Sequence, residues 1–416
     1  MSSAGSISTA FGGWPNIDFI YDKQHDNTTT TTVGVIPQSL LHKLIQDHHT
    51  VYHMEYRDQP NHLARVLVAL HELGAKQDQL INGYYKVYPD LVPLLQTSIE
   101  QRVLTNDSWL EYLGDSTYYR PYLSFFQQKI EEYGVDQVIQ SYFFDSPLSS
   151  SIGSQLQPIV HMTFGIEYDM PDIVTQGLAY LATTFVDVES LLGDNDSRHK
   201  NSATNKVEHE NILFDMVAAD PRFAGRMDGT NTFHSALKVL IKSQHSLLET
   251  YMEMLPSFPS QHALQKLVTL ATKLIPCTKQ SHRLDWFLGG GQLLASALAI
   301  QYLFERYNKM NSNNDFQKLI RLQFLTTLCT YIIQGRPSRS PTFHENLFQQ
   351  QQGCWDTCVS AIIESGDSKS ILIMQSLVKA HRFYEENENE KGYLNIANFI
   401  TGFIQAEGGA WCKNKQ

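Results

Sequence analysis

Apolar residues recur at helical spacing along most of the chain. The clearest segment follows Pro60, where they repeat every three to four positions until Gly74, as on one face of a helix that a glycine ends. Neither long strand-like alternation nor a repeat of 33 or 34 residues occurs in the sequence, so sheets and helical solenoids are not indicated. The pattern predicts an all-α protein. Further helices are predicted over 122–143, 172–192, 234–254, 262–275, 285–308, 316–334, 355–364 and 371–387.

Polar stretches divide the chain into three parts. Residues 1–36 are rich in Gly, Ser and Thr and predict a flexible N-terminal arm. Helical patterning begins at about residue 37, and its polar breaks at 194–206 and 309–315 are short enough to be surface loops. We therefore predict a single large multi-helix domain over 37–390, followed by a C-terminal segment over 391–416.

Composition and charge narrow the class of protein. The net charge is −11 and no basic run occurs, which argues against a nucleic-acid partner. No apolar stretch reaches the ~20 residues that cross a bilayer, and the N-terminus lacks the features of a signal peptide. Together with five scattered cysteines that form no disulfide framework, these features predict a cytoplasmic protein. The 21 Phe and 20 Tyr supply core packing, and a protein that binds flat aromatic ligands shows the same bias.

Standard catalytic and nucleotide-binding motifs are absent from the sequence. There is no G-x-G-x-x-G after a strand, no P-loop, no G-x-S-x-G and no H-E-x-x-H. Three consecutive glycines, 289–291, instead interrupt an apolar helical pattern, at a cost of about 1 kcal/mol each relative to alanine. We expect close helix packing or a cavity to compensate for this cost.

Several segments, taken in order, resemble the questin oxidase-like family of fungal polyketide pathways. The resemblance runs from about residue 38 to 388, and it rests on the whole set of segments. These are LIQDHHTVYHMEY, NHLARVLVALHELGA, YLSFFQQKIEEYGVDQVIQSYFF, QPIVHMTFGIEYDMP, GLAYLA, LDWFLGGG, YIIQGRP and a helix that begins at Trp355.

The resemblance implies a fold, a reaction and a set of cofactors. A helical domain would enclose an apolar, aromatic-lined pocket that binds a small aromatic molecule. The expected reaction is the oxygen-dependent oxidation or ring cleavage of an anthraquinone-type polyketide. Non-haem iron, held in one branch of the family by histidines and a modified lysine, and NADPH are the implied cofactors. Such chemistry is physically reasonable, because a redox metal with open positions activates oxygen beside an apolar pocket.

The expected metal-site residues are mostly replaced in this chain. Where the family has H-N-H-x-x-H, this chain has P-N-H-L-A-R, which keeps His62 and ends in Arg65. Where the family has H-P-x-I-H, this chain has Q-P-I-V-H, which ends in His161. D-F-F-L-M-H appears as D-W-F-L-G-G, with Gly290 at the histidine position. Near the C-terminus, Ile373 and Ser376 occupy the positions of a histidine and a lysine.

Three functional hypotheses stay open from the sequence. In an oxidoreductase, His62 and His161 are metal ligands or acid–base groups, and Trp286, Phe287 and Arg65 bind the substrate. In a non-catalytic relative, the metal site is lost and the pocket binds an apolar small molecule. In a structural or partner-binding protein, both histidines are core residues. The sequence leaves the oligomeric state undetermined.

Overall fold

Helices form nearly all of the regular structure, so the all-α prediction is confirmed. A computed structural model of the chain describes residues 41, 43–45, 51–56, 59–94, 102–193, 206–223, 232–256, 259–277, 284–285, 290–337, 353–384, 390–407 and 411–412. Within these ranges the α-helices, numbered in chain order, are α1 Leu63–Glu72, α2 Gln77–Val87, α3 Tyr119–Tyr133, α4 Val135–Ile139, α5 Gln157–Glu167, α6 Pro171–Thr183, α7 Glu189–Leu192, α8 His209–Asn211, α9 Phe233–Ser243, α10 His245–Glu253, α11 Ser260–Leu274, α12 Gln292–Tyr307, α13 Asn313–Ile333, α14 Trp355–Ser365, α15 Ser368–Phe383 and α16 Glu390–Glu407.

The strands in the described ranges are only two residues long. Strand β1 (Glu55–Tyr56) pairs antiparallel with β2 (Gln59–Pro60), and β3 (Leu284–Asp285) pairs parallel with β4 (Trp411–Cys412). Such pairs fasten chain segments together without forming a sheet layer. Single helical turns link the main helices: the 3₁₀ turns are Tyr88–Asp90, Trp109–Tyr112, Ser116–Tyr118, Pro147–Ser150, Gly153–Leu156 and Pro221–Phe223, and the π turns are Gln140–Phe144 and Ile212–Val217.

Helices α5 and α6 form a tightly packed hairpin. A Cβ on Gly177 would lie 2.6 Å from the Cα of Met162, and one on Gly165 would lie 2.6 Å from the backbone nitrogen of Val174. Both distances are shorter than real contacts, so only glycine lets the two backbones approach this closely. This contact fixes the rotation of α5, and with it the face that α5 turns away from α6.

Helix α13 lies at the centre of the helical body. Every residue over 322–333 is buried, as expected for a helix that is surrounded by other helices. Its start is well defined, because the Ser312 hydroxyl accepts the Asp315 backbone N–H at 3.3 Å and the Asp315 carboxylate accepts the Ser312 N–H at 2.9 Å. Helices α11 and α12 both pack against it.

Three of the predicted helices are each divided in the structure. The helix predicted over 122–143 ends at Tyr133, because Gly134 adopts a φ of 80°, a left-handed value that glycine tolerates. The helix predicted over 172–192 is divided into α6 and α7, because residues 184–188 are not helical. The helix predicted over 234–254 is interrupted at Gln244, whose φ of −120° and ψ of 22° are not helical. Predicting one continuous helix was wrong at all three places.

The two ends of the chain differ in how much can be described. Helix α16 packs against α14 and α15, so the helical body continues beyond residue 390. The predicted arm over 1–36 lies outside the described residues, as do Trp286 and Phe287. Of the helices that the structure describes, none is long and apolar enough to cross a membrane.

Candidate functional site

A pocket opens between helices α5, α12 and α15, and one residue of α1 contributes to its wall. Together with its open mouth, it contains about 550 Å³ of space that protein atoms do not fill. Each of the three helices lines it with residues spaced three or four apart, as one helical face requires. We call it the Arg65 pocket; its lining residues are Arg65, Val160, Thr163, Phe164, Glu167, Ala295, Leu298, Ala299, Tyr302, Gln375, Ser376, Lys379 and Phe383.

Small side chains on the facing helices leave this space open. Ala295 and Ala299 lie one turn apart on α12, and Ser376 and Thr163 lie on the helices that face it. Larger residues at these positions would fill the gap between the helices. The remaining walls combine aromatic rings, among them Phe164 and Phe383, with charged groups. The pocket therefore offers both a flat apolar surface and electrostatic anchors.

Arg65 is the most unusual residue of the pocket. It is only 8% exposed, and within the described chain its one hydrogen bond runs from Nη1 to the Gln292 side-chain oxygen at 3.4 Å. Burial lowers its pKa to about 10, against a smaller opposing effect of Tyr180. No carboxylate of the described residues forms an ion pair with it. Because a buried cation is costly without an anion, the site favours an anionic group on a ligand.

A strained backbone segment supports the arginine. Gln292, which accepts from Arg65, donates through Nε2 to the backbone oxygen of Gln155 at 3.1 Å. Ser154, Gln155 and Leu156 have φ values of 48°, 54° and 60°, so three successive non-glycine residues are left-handed. Each such residue costs about 1–3 kcal/mol, and strain of this kind is concentrated at functional sites. The segment leads directly into α5.

A buried ionic cluster forms a second charged part of the pocket. The Lys379 ammonium donates to both oxygens of Glu167, at 2.8 and 2.9 Å, and lies 3.7 Å from Glu72. Glu72 also accepts hydrogen bonds from Tyr168 and Gln375. Although burial alone would lower the pKa of Lys379, the two carboxylates raise it, so the lysine stays charged.

Of the two predicted histidines, His161 is buried and His62 is partly buried, and His62 lies close to Arg65. His62 precedes α1, and burial, followed by the charge of Arg65, holds its pKa well below the usual value. His161 lies 2% exposed on α5, with Nε2 3.1 Å from the Gln176 side-chain oxygen. The two imidazoles influence each other electrostatically. His161 therefore faces α6, whereas Glu167, six residues later on α5, faces the pocket.

The donor set that these residues offer does not suit a metal ion. Among the described residues, no group of three or more His, Cys, Asp or Glu side chains is arranged to hold one. His161 is engaged with an amide, and the neighbouring Arg65 cation would repel a metal ion. Iron needs more donors than two imidazoles, so the residues seen here do not fit the iron that the resemblance implied.

The replaced positions nevertheless gather around one place. Arg65 and Ser376 line the pocket, and Gln292 binds Arg65 next to Gly291. A Cβ on Gly291 would lie 2.8 Å from the side chain of Ile373, and Gly291 itself has a φ of 74°. Close packing therefore explains this glycine.

A further polar cluster lies near the same arginine. Glu55 accepts hydrogen bonds from Ser154 and Tyr180, and its other oxygen lies 3.1 Å from Nε2 of His234. Burial alone would raise the pKa of Glu55, but these partners, His234 foremost, lower it. Tyr180 and Arg65 in turn affect each other's pKa.

Sequence reasoning found part of this site. Arg65 was predicted to bind substrate, and it lines the pocket; that role stays a prediction. The ionic cluster of Glu72, Glu167 and Lys379 was not predicted as a unit, although a signal existed on α5. Val160, Thr163, Phe164 and Glu167 share one face there, and a carboxylate among apolar residues is a typical sign of a site.

Comparisons with known proteins agree with the resemblance. A Baeyer–Villiger monooxygenase of Cryptosporiopsis sp. (strain 8999) is 30% identical over 164 residues, which cover 36% of this chain and 37% of that protein. A Baeyer–Villiger oxidase of Aspergillus sp. (strain MF297-2) is 30% identical over 35% of this chain and 32% of its own. Questin oxidase of Aspergillus fumigatus is 28% identical over 34% of each chain. The chain spans about a third of the length of these relatives in each match.

The family match is broader than any of these pairwise similarities. The family model described as questin oxidase-like matches residues 60–377, about three quarters of the chain. This range includes most of the residues that line the Arg65 pocket, whereas Lys379 and Phe383, near the end of α15, follow it. The chain therefore belongs to the questin oxidase-like family.

Proposed function

We propose that this chain is an oxidoreductase that uses molecular oxygen to oxidise or cleave an aromatic polyketide of the anthraquinone type. The curated relatives are named for Baeyer–Villiger oxidation and for questin oxidation, and family membership makes this reaction class the leading candidate for the chain. The Arg65 pocket is the proposed binding site. Its aromatic walls suit a flat ring system, and its charged groups suit the acidic hydroxyls and carbonyls of such a compound.

The observation that carries this proposal is the buried Arg65 guanidinium in an aromatic-lined pocket. Its described hydrogen-bond partner is a neutral amide at 3.4 Å, so a phenolate, enolate or carboxylate of a ligand would complete its coordination. Along α5 the pocket extends from Val160 to Glu167, about 10 Å at 1.5 Å per residue. This length is comparable with a fused three-ring aromatic system.

The reaction needs oxygen and a reductant. Insertion of one oxygen atom of O₂ between a ring carbonyl carbon and its neighbour breaks one C–C bond and forms two C–O bonds. The second oxygen atom leaves as water. A two-electron donor such as NADPH supplies the two electrons and one proton as a hydride, and the other proton comes from the solvent. In this scheme Arg65 holds the anionic oxygen of the substrate, while Phe164 and Phe383 orient the rings. Phe164 is buried and Phe383 is partly buried, so these rings limit the access of water to the reacting carbons.

A non-catalytic relative that only binds an aromatic molecule is the second candidate. The incomplete metal-donor set favours it specifically. Elemental analysis of untagged protein, together with an oxygen-consumption assay, separates the two candidates. Stoichiometric iron and NADPH-dependent oxygen consumption that both disappear in a His62→Ala/His161→Ala double variant would support metal-dependent catalysis. Iron-free protein that binds a hydroxyanthraquinone, yet consumes no oxygen with NADPH, would establish the binding role.

Filling the pocket tests where the ligand binds. Ala299→Leu places a larger side chain in the open space between α12 and the facing helices. We expect it to weaken hydroxyanthraquinone binding by at least about tenfold and to change stability by less than about 1 kcal/mol, because the added atoms occupy empty space. Absorbance titration measures binding, and an oxygen electrode with mass spectrometry detects any oxygenated product.

Ala361→Leu is the matched control for this experiment. Ala361 lies on the partly exposed face of α14 and does not line the pocket, so binding should be unchanged. Equal binding by wild type and Ala299→Leu would place the ligand elsewhere and contradict the proposed site.

A further inference from the structure

The ionic cluster of the Arg65 pocket contains more negative than positive charge. Glu72 and Glu167 share the Lys379 ammonium, which lies 2.8 Å from Glu167 and 3.7 Å from Glu72. The side chains of these three residues are between 8% and 14% exposed. With both carboxylates ionised, the three groups carry a net charge of −1 away from water. Adding one proton makes the cluster neutral and removes a carboxylate–carboxylate repulsion.

The two carboxylates differ in their access to the pocket. Glu72 accepts hydrogen bonds from Tyr168 and Gln375 in addition to its contact with Lys379, and it does not line the pocket. Glu167 lines the pocket, and within the described structure its hydrogen bonds come from Lys379. Each carboxylate oxygen has more than one lone pair, so Glu167 can accept a further hydrogen bond from a ligand.

The surroundings of Glu167 favour proton uptake. Burial raises its pKa, Lys379 opposes this effect, and Glu72 adds to it. Tyr302 of α12 lines the same pocket, and burial, followed by the charge of Glu167, raises its pKa. Tyr168, next to Glu167 in the chain, has its pKa raised by burial and by both carboxylates. Both tyrosines therefore stay neutral and do not compete as proton acceptors.

We propose that Glu167 is the proton acceptor for an acidic hydroxyl of the pocket ligand, a phenol or an enol. The ligand O–H bond breaks, the proton moves to a Glu167 oxygen, and the electron pair stays on the ligand oxygen as an oxyanion. Lys379 and Arg65 are the cations that line the pocket and stabilise this charge. An ionised ring is more electron-rich, and it is therefore more readily oxidised. The inference rests on the proposed function, because it requires an aromatic hydroxyl compound in this pocket.

A hydroxyanthraquinone dye tests the inference without turnover, since its visible absorbance changes on ionisation. The dye is titrated into wild type at least about one pH unit below its own pKa. Calorimetry in buffers of different ionisation enthalpy counts the protons that are released. We expect the bound dye to show the ionised spectrum with close to zero protons released, because the proton stays on Glu167. In Glu167→Gln, the dye should bind either un-ionised or with about one proton released to the buffer.

Glu305→Gln is the matched control, because Glu305 is a carboxylate of α12 that accepts a hydrogen bond from Gln301 at 2.8 Å and lies outside the pocket lining. It should behave as wild type. An un-ionised spectrum in wild type, release of one proton by wild type, or identical behaviour of Glu167→Gln and wild type would each overturn the role of Glu167. The wild-type proton count decides the matter even if Glu167→Gln fails to fold. Absence of saturable binding would instead overturn the proposed pocket.

Discussion

Replacing Arg65 by methionine removes a charge that the folded protein keeps at a cost. The guanidinium is 8% exposed, and its described hydrogen bond is a long one of 3.4 Å to the neutral Gln292 side chain. Methionine has a similar length and no charge, so Arg65→Met preserves much of the packing. If the arginine is present to bind a ligand anion, its removal should weaken binding and make the empty protein more stable.

The size of this gain follows from the pKa of Arg65. Burial lowers the pKa from 12.5 to about 10, which corresponds to roughly 3 kcal/mol at about 1.4 kcal/mol per pKa unit. Because the group is a base whose pKa is lowered by folding, its charged form is destabilised throughout the neutral range. Loss of the hydrogen bond to Gln292 reduces this gain in stability by about 1 kcal/mol. We therefore expect a net gain of about 2 kcal/mol in the free energy of unfolding, or roughly 2 °C in Tm for a chain of this size.

Thermal and chemical denaturation, each with and without a hydroxyanthraquinone, measure both effects. The ligand should raise the Tm of wild type and leave that of Arg65→Met nearly unchanged. Arg336→Met is the matched control, because Arg336 donates to the backbone oxygens of Val217 at 3.0 Å and Asp220 at 2.5 Å. The free energy of unfolding of Arg336→Met should fall by about 1–3 kcal/mol. A similar loss in Arg65→Met would refute the argument and make Arg65 a structural residue.

Two further predictions concern helix packing and pH. Gly177→Ala should destabilise the protein by about 2 kcal/mol or more in chemical denaturation, because the added Cβ would lie 2.6 Å from Met162. The control Gly392→Ala, in α16, has no neighbour within 4 Å among the described residues and should be neutral or stabilising by up to about 1 kcal/mol, because alanine favours a helix over glycine. Burial lowers the pKa of His209 from 6.5 to about 4, so its neutral form stabilises the fold above pH 6.5, and this contribution is lost as the pH falls towards 4. The free energy of unfolding of wild type should therefore fall by up to about 3 kcal/mol more than that of His209→Gln over this pH range. Parallel curves of stability against pH for the two proteins would contradict this prediction.

Local sequence signals predicted most helices but not all of their ends. Gly74 was correctly predicted to end α1, because the apolar pattern stops there as well. In the structure this glycine has a φ of 81°. At Gly134 the apolar pattern continues beyond the glycine, so one long helix was predicted where the chain turns. Tertiary packing decided between the two outcomes, and one sequence does not contain that information.

The site was harder to predict than the fold, because its parts are distant in sequence. Arg65 was singled out only through its position in the family pattern. Lys379 and Glu167 are 212 residues apart, and Arg65 and Gln292 are 227 apart, so no periodicity relates them. The left-handed segment Ser154–Leu156 contains none of the residue types that favour this conformation. Its geometry follows from the contacts around it.

The unfavourable features of the described structure are concentrated around the Arg65 pocket. A buried arginine lacks an anion, two carboxylates share one lysine, and three left-handed residues precede α5. The Gln292 side chain joins the arginine to the strained segment through two hydrogen bonds. Features that each cost stability persist together where function requires them. Under the proposed function, the buried charge of Arg65 would hold an anionic group of the substrate, and the cost of keeping this charge in the empty protein would be recovered on binding.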